Sequence, residues 1–130
     1  MPTLAHRRAE EFLDVYTHAL NSGDLPAIAS CYAYPSMVVT DSGSVVVASP
    51  EDIMVAFAAE GQEHAELTSV AELRSLESPT QNLAWITVRW SYRDSDGGEV
   101  SADSYRYLLR DTAGAVRICT ITPVPREWSH

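Results

Sequence analysis

The sequence has no apolar run long enough to cross a membrane, and it has few basic residues. Its longest unbroken apolar stretches, such as residues 45–48, are far shorter than the roughly 20 residues of a membrane-spanning helix. Lys and Arg number 9 against 18 Asp and Glu, which gives a formal charge of −9 at pH 7. Because nucleic acids and anionic membranes are bound mainly through Lys and Arg, this balance argues against both as partners.

Cysteines and catalytic motifs are also scarce. Cys31 and Cys119 lie far apart in apolar surroundings, so we expect two buried, reduced thiols and a cytoplasmic location. The histidines show no metal-ligand spacing, and the sequence contains no Walker loop, H-E-x-x-H pair or G-x-S-x-G elbow. We therefore expect no metal and no organic cofactor, and no motif alone identifies a reaction.

The length and composition are those of one globular domain. The chain has 130 residues, of which 45% are apolar, and it shows no repeat, linker or low-complexity segment. A chain of this length buries enough surface to fold without a disulfide or a metal. We expect a single domain over residues 1–130, with 126–130 as a frayed tail.

The first third of the sequence predicts two helices. Apolar residues between positions 5 and 20 recur at spacings of three and four, which is typical of an amphipathic helix. Asp24 is suited to cap a second, shorter helix, whose buried stripe extends to Tyr32. We expect Pro35 to end this helix, because proline cannot continue it.

The middle of the sequence predicts a hairpin and a third helix. The β-branched runs 37–40 and 45–48 flank a polar turn over 41–44. Ser49 and the proline after it begin a helix, which carries Phe57 inward.

The remainder predicts strands. Residues 64–77 fit either a helix or a strand, and periodicity alone does not decide between them. The segments 83–92, 99–110 and 115–122 predict long antiparallel strands joined by Gly-containing turns. Helices followed by strands predict an α+β domain, with three helices packed on one face of a strongly curved sheet.

Alternation along 83–92 assigns side chains to the two faces of that sheet. Ile86, Val88 and Trp90 are expected on the face covered by helices. Trp85 and Arg89 are expected on the opposite face, where an exposed Trp indicates a contact surface.

Two segments resemble the NTF2-like superfamily. Residues 16–25 (YTHALNSGDL) resemble its helix–turn–helix opening, and residues 103–107 (DSYRY), followed by a turn at Gly114, resemble its C-terminal hairpin. The resemblance covers residues 5–124 and implies a cone-shaped α+β fold. It also implies that 64–77 forms the first long strand.

The superfamily includes ketosteroid isomerases and SnoaL-type polyketide cyclases. In ketosteroid isomerases a Tyr on the first helix and an Asp on the penultimate strand bind the enolate oxygen, and a second Asp moves the proton. The resemblance implies that Tyr16 and Asp103 occupy the first two positions. The position of the proton-transferring Asp falls at Thr40, or at Asp41 if the register of the hairpin shifts by one residue. Since threonine is no general base near neutral pH, we predict negligible ketosteroid isomerisation.

Each candidate also has a purely structural interpretation. Tyr16 lies on the buried helical stripe and would be a core residue in any case, while Asp41 suits an ordinary turn. Asp103 shares a strand face with Tyr105 and Tyr107, and a carboxylate on an apolar face indicates either a pocket or an ion pair.

The same alternation argues against epoxide hydrolysis. Limonene-epoxide-hydrolase relatives use an Asp–Arg–Asp set in the cone. Here Arg89 and Arg106 fall on the face opposite Asp103.

We expect a homodimer that binds a small hydrophobic molecule in an apolar cone, and we leave open isomerase- or cyclase-like acid–base chemistry through Tyr16 and Asp103. The alternative is a non-enzymatic dimerisation or accessory domain whose cone is filled by side chains. The other expected pocket residues are Tyr32, Thr40, Asp41, Phe57, Ile86, Val88, Trp90 and Tyr105.

Overall fold

Helices come first along the chain and the long strands follow. The structure, a computed structural model, describes residues 6–63 and 66–125, and the side chains of all of these except 60–63. The elements are α1 (His6–Ser22), α2 (Leu25–Ser30), β1 (Tyr32–Thr40), β2 (Gly43–Val47), α3 (Pro50–Glu63), β3 (Thr68–Thr80), β4 (Leu83–Arg93), β5 (Glu99–Thr112) and β6 (Ala115–Pro123).

The six strands of the described residues form one mixed sheet in the order β2-β1-β6-β5-β4-β3. Only the β1–β6 pairing is parallel, and the other four are antiparallel. Register shifts interrupt four of the five pairings, and such bulges bend a sheet. The expected α+β architecture with a curved sheet is confirmed.

One face of the sheet is covered by helices and forms the core. On β4, Ile86 and Val88 have no exposed surface and Trp90 is 3% exposed, as the alternation predicts. From α1, Tyr16 packs its ring against Trp90, with 5.9 Å between the ring centroids. This helix-covered surface is called the inner face below.

The start of α2 matches its sequence signal, but its end does not. Asp24 Oδ1 accepts a hydrogen bond from the backbone N–H of Ala27 at 3.2 Å, which is the expected cap. The helix ends at Ser30, so the prediction that it includes Tyr32 and ends at Pro35 is wrong.

Both residues belong to β1 for identifiable reasons. Tyr32 lies four positions after Ile28, and this spacing suggested that it continues the buried stripe of the helix. It is instead the first residue of β1 and pairs with Ile118 of β6. Pro35 lies where the β1–β6 register shifts between Tyr32 and Met37, and a missing N–H is tolerated at such an irregularity.

The remaining elements follow the predictions closely. The β1–β2 hairpin turns at Asp41 and Ser42, because Thr40 pairs directly with Gly43. The segment that periodicity left ambiguous forms β3, as the resemblance implied, although His64 and its neighbour lie outside the described residues.

The opposite face of the sheet is more covered than predicted. Trp85 is half-buried rather than exposed, because the guanidinium of Arg106 lies over its ring at 4.9 Å from the centroid. Arg89 donates to both carboxylate oxygens of Glu99, at 2.8 and 3.0 Å. Ser91 also donates to that carboxylate at 2.7 Å. The two arginines therefore lie on the face that alternation assigned to them.

Two polar contacts fix α1 to the sheet. Arg8 forms an ion pair with Asp111 of β5 and donates to the carbonyl of Gly114 at 3.0 Å. Asn21 donates to the carbonyl of Ser69 at 2.9 Å and accepts from its N–H at 2.8 Å. Since β3 is an edge strand, Asn21 satisfies backbone groups that would otherwise be unpaired. None of the described helices is both long and apolar enough to span a membrane.

Candidate functional site

Each of the six tyrosines lies in the core or packs against it, and we call five of them the tyrosine cluster. They come from α1, β1, β4 and β5, which bring together residues far apart in the sequence. The members of the cluster are Tyr16, Tyr32, Tyr92, Tyr105 and Tyr107.

A short hydrogen bond joins two members of the cluster. The hydroxyl oxygens of Tyr16 and Tyr32 are 2.6 Å apart, and either hydroxyl can donate. The two side chains are 3% and 2% exposed, so this polar contact is shielded from solvent. The pair satisfies two buried polar groups with each other, and it links α1 to β1.

A second hydrogen bond sets the position of Tyr107. Trp90 donates from Nε1 to the hydroxyl oxygen of Tyr107 at 2.8 Å, and both side chains are buried. In the β4–β5 register Trp90 lies opposite Asp103, whereas Tyr107 lies opposite Ile86. The indole therefore reaches along the sheet to Tyr107, away from its direct partner.

Aromatic rings pack closely around these two hydrogen bonds. The Tyr16 ring stacks on Phe12 at 5.9 Å and meets Tyr107 edge-on at 6.3 Å between centroids. Phe57 of α3 lies 6.3 Å from Tyr32, and Tyr105 lies 6.3 Å from Tyr107. Phe57 and Tyr105 are half-buried, so they form the outer part of the aromatic lining.

Burial keeps the phenols protonated. It raises the pKa of Tyr16 well above 10, and the nearby phenols of Tyr32 and Tyr107 raise it further. Burial likewise raises the pKa of Tyr107, with Tyr32 adding to the rise, while the hydrogen bond from Trp90 acts in the opposite direction. Near neutral pH these hydroxyls are hydrogen-bond donors and acceptors, not bases.

Asp103 does not join this site, contrary to the expectation that it shares the pocket with Tyr16. It shares the face of Trp90 by register, as alternation predicted, yet its side chain is exposed. Residues 99–103 are exposed except for half-buried Ala102, so the helices leave this part of β5 uncovered. No Asp, Glu, His or Arg is buried among the described side chains.

The hairpin candidates also lie outside the tyrosine cluster. Thr40 and Asp41 are exposed, and the Thr40 hydroxyl contacts the Ser42 hydroxyl at 3.1 Å and donates to the Gly43 carbonyl at 3.3 Å. Both residues were expected to line the pocket. They lie instead at the turn of the β1–β2 hairpin.

The other candidates divide by depth. Tyr32 and Trp90 lie within the aromatic interior, and Phe57 and Tyr105 lie at its outer part. Ile86 and Val88 are completely buried and form its floor on β4. Tyr107 and Tyr92 were not chosen from the sequence as pocket residues. Alternation with Tyr105 was the available signal for Tyr107, and alternation with Trp90 was the signal for Tyr92.

A separate groove runs between α1 and β3. Its volume is about 500 Å³, and Leu13, Val70 and Leu73 line its apolar part, while Asp14 and His18 are among its polar residues. It shares no side chain with the tyrosine cluster. Across the residues that the structure describes, no group of three or more His, Cys, Asp or Glu is arranged to hold a metal.

The family model of NTF2-like protein (DUF6841) matches residues 6–126, which is nearly the whole chain. The chain belongs to this NTF2-like family. No curated protein matches the sequence of this NTF2-like chain.

Solved structures share the NTF2-like fold at low sequence identity. A Nostoc punctiforme PCC 73102 protein of unknown function with a cystatin-like fold has a TM-score of 0.77 at 12% identity, with 97% of each chain covered. A ketosteroid isomerase-like protein from Erwinia carotovora atroseptica SCRI1043 has a TM-score of 0.61 at 16% identity, with 87% of this chain and 89% of that chain covered. An NTF2-like protein of unknown function from Shewanella oneidensis MR-1 has a TM-score of 0.66 at 14% identity, with 88% of this chain and 93% of that chain covered. These likenesses establish the fold alone.

Proposed function

We propose that this NTF2-like protein binds a small apolar molecule against the tyrosine cluster. The observation that carries the proposal is the convergence of five phenols and the Trp90 indole in the core, where no Asp, Glu, His or Arg among the described side chains is buried. Aromatic walls with a few polar groups are typical of small-molecule sites. The half-buried rings of Phe57 and Tyr105 offer an apolar surface at the outer part of this lining.

The proposal is one of binding and does not include proton transfer. A general base must lie within hydrogen-bonding reach of the proton that it removes. The carboxylates of Asp41 and Asp103 are exposed, and burial keeps Tyr16 and Tyr107 protonated. The described residues thus provide neutral donors, which suit a ligand's oxygen atom. The likeness to a ketosteroid isomerase-like protein supports this choice of pocket only through the shared fold.

A second candidate function is a non-enzymatic dimerisation or accessory domain. The observation in its favour is the direct contact between the rings of Phe12, Tyr16, Trp90 and Tyr107. Rings in contact fill the deepest part of the interior, as a packed core would. On this hypothesis the protein is a homodimer that functions through its outer surfaces and takes up no ligand.

Titration with 2-naphthol distinguishes the two candidates. We expect calorimetry to show saturable binding, with NMR shifts concentrated at Phe57 and Tyr105. Phe57→Ala should weaken binding by about tenfold, because part of the apolar lining is lost. Asp103→Asn is the matched control and should bind as the wild type does, since Asp103 is exposed. If no binding occurs up to the solubility limit of 2-naphthol, the binding proposal fails and the accessory-domain interpretation replaces it.

A further inference from the structure

The hydroxyl of Tyr107 is engaged on one side only. It accepts the Nε1–H of Trp90 at 2.8 Å. Within the part of the chain that the structure describes, its own proton has no acceptor. A buried donor without an acceptor is uncommon in proteins and costs free energy, so such a group calls for an explanation.

The contact with Trp90 also determines where that proton points. A phenol O–H prefers the plane of its ring, which leaves two positions for the hydrogen. The indole N–H binds a lone pair of the Tyr107 oxygen, so the Tyr107 proton points away from Trp90. Trp90 is therefore a positioning residue, since it selects one of the two positions of the Tyr107 proton.

The surroundings of Tyr107 indicate which kind of group its hydroxyl could contact. Its side chain is 5% exposed, and its ring lies 6.3 Å from the ring of half-buried Tyr105, at the outer part of the aromatic lining. We infer that Tyr107, oriented by Trp90, donates a hydrogen bond to an acceptor oxygen on the bound molecule. The ligand class is thus an apolar molecule carrying a carbonyl or ether oxygen rather than a plain hydrocarbon. This inference rests on the proposed function, because it names the group that selects the ligand.

A pair of isosteric probes tests the inference without any substitution. 2-Acetylnaphthalene has a carbonyl where 2-isopropenylnaphthalene has a C=CH₂ group, so the two differ mainly in the acceptor. We expect calorimetry to show that the wild type binds the ketone about fivefold more tightly than the alkene, the value of one net hydrogen bond. Equal affinities would overturn the inference and leave the binding proposal intact. Binding of neither probe would overturn both.

Two variants then identify the donor and its positioning residue. Tyr107→Phe should abolish the preference for the ketone, so that both probes bind with equal affinity. Trp90→Phe keeps the Tyr107 hydroxyl but releases its orientation, so the preference should fall to about twofold. A preference that survives in Tyr107→Phe would show that another hydroxyl is the donor. Since both residues are in the core, thermal melts must confirm that each variant is folded at the titration temperature.

Discussion

The hydroxyl of Tyr16 on the first helix lies 2.6 Å from the hydroxyl of Tyr32 on the first strand. Their rings are nearly perpendicular, with 6.0 Å between centroids. The contact joins two segments within the core, where both side chains are shielded from solvent. It therefore contributes both to the stability of the fold and to the polarity of the candidate site.

Tyr16→Phe tests the structural part of that role. The substitution keeps the ring and its packing but leaves the Tyr32 hydroxyl without this partner. We expect the free energy of unfolding, measured by urea denaturation, to fall by about 1–2 kcal/mol. Val15→Ala, at a neighbouring helical position with 63% exposure, is the control and should change stability by less than about 0.5 kcal/mol. An unchanged stability in Tyr16→Phe would contradict the contribution of this hydrogen bond.

Asn21→Ala tests the connection between α1 and the edge strand. Asn21 makes two hydrogen bonds to the backbone of Ser69, so its loss should free the Ser69 amide. We expect amide hydrogen exchange at Ser69 to become at least tenfold faster, with a loss of about 1 kcal/mol in stability. Ser22→Ala removes a neighbouring exposed hydroxyl that does not reach β3, and it should leave this exchange rate unchanged. Unaltered protection of Ser69 in Asn21→Ala would show that the bridge is not maintained in solution.

Element types were predictable from the sequence because they depend on local patterns. The alternation of β4 placed Ile86, Val88 and Trp90 on the buried face correctly. Tyr32 was assigned to the wrong element because a residue four positions after Ile28 fits either a continuing helix or the first residue of a strand. Only its pairing with Ile118, 86 residues later, decides between them.

The site was harder to predict because alternation gives the face of a residue but not its depth. Asp103 and Tyr107 share one face of β5, yet the first is exposed and the second is 5% exposed. The difference depends on how far the helices extend over the strand, which no local pattern contains. The Trp90–Tyr107 hydrogen bond depends in turn on the β4–β5 register, which cannot be read from the pattern of either strand alone.

The two cysteines should be unreactive in the folded protein. Both thiols are free and buried, with Cys31 5% and Cys119 7% exposed. Burial raises the pKa of Cys31 to about 11 and also raises that of Cys119, so the reactive thiolate is rare near neutral pH. We expect a thiol-specific chromogenic reagent at pH 8 to react with neither thiol in native protein and with both in 6 M guanidinium chloride. Rapid labelling of the native protein would contradict this burial.

Ketosteroid isomerisation should remain negligible even when the carboxylate of ketosteroid isomerases is introduced at Thr40. Because Thr40 is exposed at the hairpin end, an Asp at this position would lie in solvent, away from the tyrosine cluster. We expect neither the wild type nor Thr40→Asp to convert a Δ5-3-ketosteroid faster than buffer, as measured by ultraviolet absorbance of the conjugated product. Turnover by the wild type would show that another acid supplies the base. Turnover by Thr40→Asp alone would show that the hairpin approaches the cone in solution.

The Arg89–Glu99 ion pair should make stability depend on pH at the acid end. The hydrogen bonds from Arg89 and then Ser91 lower the pKa of Glu99 to about 2 from its ordinary value of 4.5. A carboxyl whose pKa is lowered by folding stabilises the folded state at any pH above its pKa in the unfolded chain. This contribution is lost as the pH falls from about 4.5 to about 2. We expect the stability difference between the wild type and Glu99→Gln to be largest above pH 5 and to shrink towards zero near pH 2. Arg89→Gln tests whether Arg89 lowers the pKa of Glu99. In this variant, NMR titration should find the pKa of Glu99 closer to its ordinary value. A difference that stays constant from pH 6 to pH 2 would show that the carboxylate charge contributes nothing to folding.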